Sequence, residues 1–196
     1  MEGPKIEEVL TYLDENFDND LKAVQDFMRM KSISATGEGI RETAERVKEM
    51  IEECGGTSEL IETPGNPIVY GRIDEKAEHT LLIYSMYDVL PAEEPDWISD
   101  PWAAEIHPFR DYGDCIIGRG AVNTKGPTVA FFRAIKAYKK IAGKLPVNLV
   151  FLIEGNFPPN PSRSSWKSTR INLKTAMQCF SHHLERKTEL LPSLWV

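Results

Sequence analysis

Apolar residues recur at helical spacing at the start of the chain: Ile6, Val9, Leu10 and Leu13, then Leu21, Val24 and Phe27. The spacing predicts two helices, over about 5–17 and 19–30. A loop over Ser32–Gly39 follows, then a third helix over about 40–54 with Ala44, Val47, Met50 and Ile51 facing inward, stopped by Gly55-Gly56. Ser58–Glu62 and Ile68–Ile73 read as two strands joined by a turn at Pro64-Gly65-Asn66. Thr80–Met86 is a nearly continuous apolar run, the pattern of a strand buried on both faces. Tyr87–Asp114 reads as a long loop, and Cys115-Ile116-Ile117 as a short strand. Asn123 or Thr124 caps a helix with Pro127 in its first turn and Phe131, Ile135 and Tyr138 on one face, running to about Ile141. Val147–Ile153 is a second apolar strand. Helices alternating with buried strands predict a three-layer α/β domain with a largely parallel sheet.

Composition narrows the picture. The chain has 196 residues, is 41% hydrophobic and 27% charged, and carries a formal charge of −7, which fits a folded core and disfavours general nucleic-acid binding. No window approaches a membrane span, and the acidic N-terminus does not resemble a signal peptide. Cys54, Cys115 and Cys179 are too few and odd in number for a disulfide framework, which fits a reducing, cytoplasmic setting. The average also hides a break. Residues 1–155 carry 17 basic and 28 acidic side chains, whereas residues 156–196 carry 6 and 2, with many Ser and Pro and no apolar period.

In α/β sheets, ligands sit beyond the carboxyl ends of the strands. Three strand ends carry polar chemistry: Met86-Tyr87-Asp88, the run Gly118 to Gly126, and Glu154-Gly155. Two carboxylates and the Asn123 amide converging there could hold a metal or orient a polar substrate.

These segments, in this order and spacing, resemble the zinc-dependent aminoacylase, succinyl-diaminopimelate desuccinylase, carboxypeptidase and carnosinase family of metallopeptidases. Family members have a strand ending in His-x-Asp, continued as Tyr-Asp-Val-x-Pro, and this chain has Met86-Tyr87-Asp88-Val89-Leu90-Pro91. Trp97 and Asp100-Pro101-Trp102 stand where the family shows a Trp and an Asp-Pro-Phe stretch. Gly118 to Gly126 matches Gly-Arg-Gly-x-x-Asp-x-Lys-Gly, and Glu154-Gly155 matches the start of Glu-Gly-x-Glu-Glu. The resemblance covers roughly residues 5–155. It implies the N-terminal part of a three-layer α/β/α zinc-exopeptidase-like catalytic domain without its dimerising lid. It also implies two zinc ions (or cobalt or manganese) bridged by an aspartate and a water, with a glutamate base, acting on small peptides or N-acyl amino acids.

The departures fall on the positions that matter most. Met86 occupies the metal-histidine position, and a thioether is a poor zinc ligand among carboxylates. Asn123 occupies the bridging-aspartate position and carries no charge to bridge two ions. Phe157 and Pro158 stand where the glutamate pair is expected. The surviving candidates are Asp88 and Glu154 for catalysis, Asn123 and Glu154 for metal, and Arg119, Lys125 and Gly126 for the glycine-rich substrate loop. Each has a plain reading beside the functional one. Asp88 satisfies loop amides, Asn123 caps a helix, Arg119 and Lys125 bond carbonyls around the turn, and Cys115 is a small buried apolar residue.

The break after Gly155 has a specific explanation. Permitted codons from Asn156 onward, read out of register, give Phe-Leu-Glu-Lys-Tyr-Lys-Asn-Gln-Leu and then an apolar run, the helix and strand that the family pattern expects. The expectation is therefore a partial catalytic domain over 1–155 and an atypical, poorly ordered, frame-shifted tail over 156–196. The resulting chain would be a truncated hydrolase, inactive as it stands and prone to self-association. The alternatives are a non-catalytic ligand-binding or interaction module on the same fold, or half of an enzyme completed in trans by the missing C-terminal half.

Overall fold

The computed structural model describes residues 6–155. The expectations for the tail, with His182, His183 and Cys179, lie outside the described residues. The first three helices form where the spacing places them: α1 (Ile6–Glu15), α2 (Phe17–Arg29) and α3 (Ile40–Glu53). In α1 only Val9 is buried, while Ile6 and Leu10 are exposed, so its apolar stripe is mostly surface. In α3 the four inward residues are buried as the period requires. Gly55 ends that helix in the left-handed region, its N–H bonding the Glu52 carbonyl and that of Gly56 the Ile51 carbonyl. Glycine takes this conformation without the Cβ penalty.

Strands β1 (Thr57–Ile61) and β2 (Ile68–Ile73) form the antiparallel hairpin. β3 (Thr80–Met86) follows, then a small two-stranded sheet of β4 (Glu105–Pro108) and β5 (Asp114–Ile117), helix α4 (Lys125–Ala142) and β6 (Asn148–Glu154). The stretch Tyr87–Asp114 is therefore not loop throughout, because β4 and a 3-10 turn at Arg110–Tyr112 lie within it. Cys115, in β5, is only half-buried. The main sheet has the order β1-β2-β6-β3. Only the β3–β6 pairing is parallel, and β1–β2 and β2–β6 are antiparallel, so the expected largely parallel sheet is corrected to a mixed one. For β1 and β2 the reason is connectivity: a short hairpin turn joins them, and such a link only permits antiparallel neighbours.

Val69 and Ile73 of β2 and Leu149, Phe151 and Ile153 of β6 form one core with α3 and α4. Phe132 stacks on Phe151 at 5.4 Å between centroids, and Phe131 meets the same ring edge-on at 6.5 Å. The core face of α4 is Val129, Phe132 and Ile135, whereas Phe131 is partly exposed beside β3. β6 is buried almost throughout. β3 is not: Leu81, Leu82 and Tyr84 are exposed, because this strand is the edge of the sheet among the described residues. The expectation of burial on both faces is not met there, where β3 has one neighbouring strand among the described residues.

Candidate functional site

The parallel register of β3 and β6 brings two of the three strand ends together. Met86 pairs with Glu154, and Tyr84 with Leu152. Paired residues of adjacent strands share a face, and the strand period is two. Tyr84, Met86 and Glu154 therefore lie on one face, opposite Ile83, Phe151 and Ile153. The Tyr84 hydroxyl donates to Glu154 Oε1. Glu154 Oε2 is buried with no hydrogen-bond partner among the described residues. Burial pushes the Glu154 carboxyl above the ordinary carboxylate value, against the opposing pull of the Tyr84 hydroxyl. Burial first, and Glu154 second, push the Tyr84 hydroxyl upward as well. One oxygen of Glu154 is thus engaged by Tyr84, and the other is buried, so neither is an open ligand atom at the surface.

The segment after β3 is clamped from several directions. The Tyr87 N–H donates to the Glu154 carbonyl at 2.9 Å, and the Tyr87 hydroxyl to the Pro67 carbonyl at 2.7 Å. Ser32 Oγ donates to the Tyr87 carbonyl at 2.7 Å, and the Val89 N–H to the Ser32 carbonyl at 2.9 Å. These bonds hold Asp88 at zero exposure. Gly155 completes the packing, since any Cβ there would run into the Tyr87 ring.

The glycine-rich loop is a tight turn into α4. Gly120 has φ of 89°, the Gly126 N–H donates to the Gly120 carbonyl at 3.2 Å, and a Cβ on Gly126 would meet the Ala121 carbonyl. Thr124, not Asn123, precedes the helix, and neither its side chain nor Asn123 caps it. Asn123 is exposed. Asp88, Arg119, Asn123 and Thr124 line one shallow cleft of about 280 Å³, open to solvent.

The two cations of this loop act differently from their plain reading. The Arg119 guanidinium binds both Glu94 oxygens, at 2.5 and 2.6 Å, and lies 5.0 Å over the Trp97 ring. It fastens the 90–102 loop by a carboxylate, not by carbonyls of its own turn. Lys125 is wholly buried and does reach a carbonyl, but that of Met30, beyond α2, with its Nζ 5.5 Å from the Phe27 ring centroid. Burial lowers its pKa to about 7 against a smaller opposing pull from Asp88. Tyr84, Ser32, Glu94 and the Met30 carbonyl were not singled out in the sequence. The period-two parity of β3 could have flagged Tyr84, while the other three are brought in by long-range contacts without a local signal.

The donor set does not fit the dinuclear metal centre that the resemblance implies. Zinc takes anionic or imidazole ligands, usually four in a structural site and three in a catalytic one. Met86 offers a thioether, Asn123 an exposed neutral amide, and Glu154 a carboxylate already bonded to Tyr84. Among the described residues no group of three or more His, Cys, Asp and Glu side chains is gathered to hold a metal ion. None of the described helices is long and apolar enough to cross a membrane.

Comparison with known proteins agrees with the motifs. Residues 82–156 match the family described as Peptidase family M20/M25/M40. The chain is 38% identical over 91 residues to the Cys-Gly metallodipeptidase DUG1 of Candida albicans, covering 45% of this chain and 18% of the relative. It is 32% identical over 94 residues to the human Beta-Ala-His dipeptidase, covering 47% and 18%. Among solved structures, the M20 family metallo-carboxypeptidase Sso-CP2 from Sulfolobus solfataricus superposes with a TM-score of 0.62 at 40% identity, over 70% of this chain and 30% of that one. Human carnosine dipeptidase 1 superposes with a TM-score of 0.68 at 23% identity, which speaks to the fold alone. The chain thus spans under a fifth of the length of these curated relatives.

Proposed function

From the premise that residues 82–156 are M20/M25/M40 peptidase sequence, we propose that the chain derives from a metal-dependent hydrolase of small peptides or N-acyl amino acids. We further propose that it does not turn such substrates over as it stands. The observation that carries the second part is the strand-end pair. The thioether of Met86 stands in register with Glu154, and the Glu154 carboxyl is held by Tyr84. A water-activating metal needs about three protein ligands and an open position. These residues offer one engaged carboxylate, one thioether and one amide. Met86 and Asn123 are set in an otherwise intact frame, with Tyr87-Asp88-Val89 clamped and the Lys125-Gly126 turn closed. The altered site is therefore a feature of the fold and not a symptom of its collapse.

The test is direct. Purified full-length chain is assayed with Cys-Gly and β-Ala-His in the presence of zinc, manganese or cobalt, and its metal content is measured by mass spectrometry. The expected result is no metal-dependent hydrolysis and no stoichiometric metal. The double variant Met86→His, Asn123→Asp should raise zinc affinity by at least about tenfold, since single changes around such sites shift affinity by roughly 10–100-fold. Metal-dependent turnover by the unaltered chain would overturn the proposal. Turnover appearing only with a co-purified second polypeptide would favour an enzyme completed in trans.

A further inference from the structure

Segment 91–99 hangs between two fixed roots. At the first, Val89 is buried and its N–H donates to the Ser32 carbonyl at 2.9 Å. At the second, the Pro101 carbonyl accepts the Arg119 N–H at 2.9 Å, and the Ala104 carbonyl accepts the Gln25 side-chain amide at 2.8 Å. Between the roots no residue is buried. The segment gives the core little apolar area, so burial does little to hold it. Among the described residues, its hydrogen bonds and ion pairs to the rest of the chain run to one side chain, that of Arg119.

That contact is a closed triangle. Arg119 Nη2 donates to both Glu94 oxygens, at 2.5 and 2.6 Å, and the guanidinium lies over the Trp97 ring. Trp97 Nε1 donates to Glu94 Oε2 at 3.3 Å and closes the third side. The triangle is also only half made. A full arginine–carboxylate fork uses two nitrogens in parallel bonds, whereas here one nitrogen serves both oxygens. Arg119 Nε is buried with no hydrogen-bond partner among the described residues. A buried donor without a partner is costly, and water reaching it on opening would relieve that cost. The opposing gain from the ion pair is small, because the Glu94 side chain is 60% exposed and salt screens such pairs. The closed arrangement is therefore held by a narrow margin between two firm roots.

We propose that segment 91–99 is a salt-sensitive strap, latched by Arg119 through Glu94 and Trp97 and hinged at Val89 and Pro101. Leu90 and Arg119 also line the cleft beside Asp88 and Thr124, so the strap and that cleft share a wall. The latch does not depend on the peptidase reading, because none of its bonds involves Met86, Asn123 or Glu154.

The experiment is limited proteolysis of the full chain by chymotrypsin under native conditions, with each cut identified by mass spectrometry. Chymotrypsin cuts after aromatic residues. Tyr112, 77% exposed in the turn between β4 and β5, is an internal reference outside the strap. Cleavage after Trp97 relative to that after Tyr112 should rise at least about threefold in Glu94→Gln and in Arg119→Lys, which keep size or charge but lose the latch. The same rise is expected for the parent in about 1 M sodium chloride, where the screening length falls to about 3 Å. Glu94→Gln should show no further rise with salt. A ratio unmoved by either variant would overturn the proposal. Equal acceleration at both sites would overturn it as well, since the whole fold would then have loosened. A salt response that persists in Glu94→Gln would remove the ion pair as the latch.

Discussion

Strands β3 and β6 lie side by side, run parallel over seven residue pairs and read alike in sequence, yet one is core and the other is surface. β6 sits between β2 and β3, and its Phe151 is wholly buried against Phe132 and Phe131. Among the described residues β3 has a single neighbour, and Leu81, Leu82 and Tyr84 are exposed. An apolar run therefore encodes that a segment is a strand of a sheet, and says little about its rank within it. Rank depends on how many neighbours the chain supplies, and that is a long-range property.

The same contrast runs through the candidate site. Several polar groups buried around the strand ends are held by partners distant in sequence, as Lys125 is by Met30, Glu154 Oε1 by Tyr84 and Tyr87 by Pro67. Asn123, by contrast, is left exposed.

The sharpest way to break the comparison is truncation of matched positions. Phe151→Ala should cost about 3–5 kcal/mol, the usual cost of emptying a buried aromatic site. Leu82→Ala should stay within about 0.5 kcal/mol in the monomer, as exposed positions do. Urea unfolding at low protein concentration measures both, and equal costs would mean that β3 is covered in solution.

A second test separates buried charge from buried apolar surface. Lys125 has a folded-state pKa of about 7, below its ordinary 10.5. Between those values the unfolded chain binds more protons than the folded one, so the contribution of Lys125 to stability rises with pH across that window. Below about pH 7 its penalty is fully present. Lys125→Met removes this dependence. The stability of the parent relative to the variant should climb from pH 7 toward 10.5 with a slope of at most about 1.4 kcal/mol per pH unit. A flat difference would show that Lys125 stays protonated in the fold.

The smallest expected effect concerns Glu154, whose carboxyl is raised above its ordinary 4.5. Here the folded chain holds the proton more tightly, so stability is lost as pH rises through the raised value. Glu154→Gln keeps the hydrogen bond to Tyr84 and should remove that loss, changing stability by about 1 kcal/mol or less at neutral pH. Melting temperatures of the two proteins across the acid range decide it, and parallel curves would mean that Glu154 is ionised in the fold.

Much of the architecture is legible in the sequence. The helical period of α3, the Pro64-Gly65-Asn66 turn and the apolar runs of β3 and β6 are local signals, because side-chain direction repeats every 3.6 or two residues. The motifs around Asp88, Gly118–Gly126 and Glu154 were legible for the same reason. The tight turn needs Gly126 because a Cβ would strike the Ala121 carbonyl, and the strand end needs Gly155 because Tyr87 fills the space. The mixed direction of the sheet, the exposure of β3, the grip of Arg119 on Glu94 and the pairing of Tyr84 with Glu154 were not legible. They join residues distant along the chain, and neither propensity nor spacing carries their energy. The sequence by itself determined which segments become helices and strands, and that polar residues gather at the strand ends in the order that matches the M20/M25/M40 family over residues 82–156. Only the tertiary structure decided which strand lies at the edge and which carboxyl is buried, because burial is set by the neighbours that folding brings together.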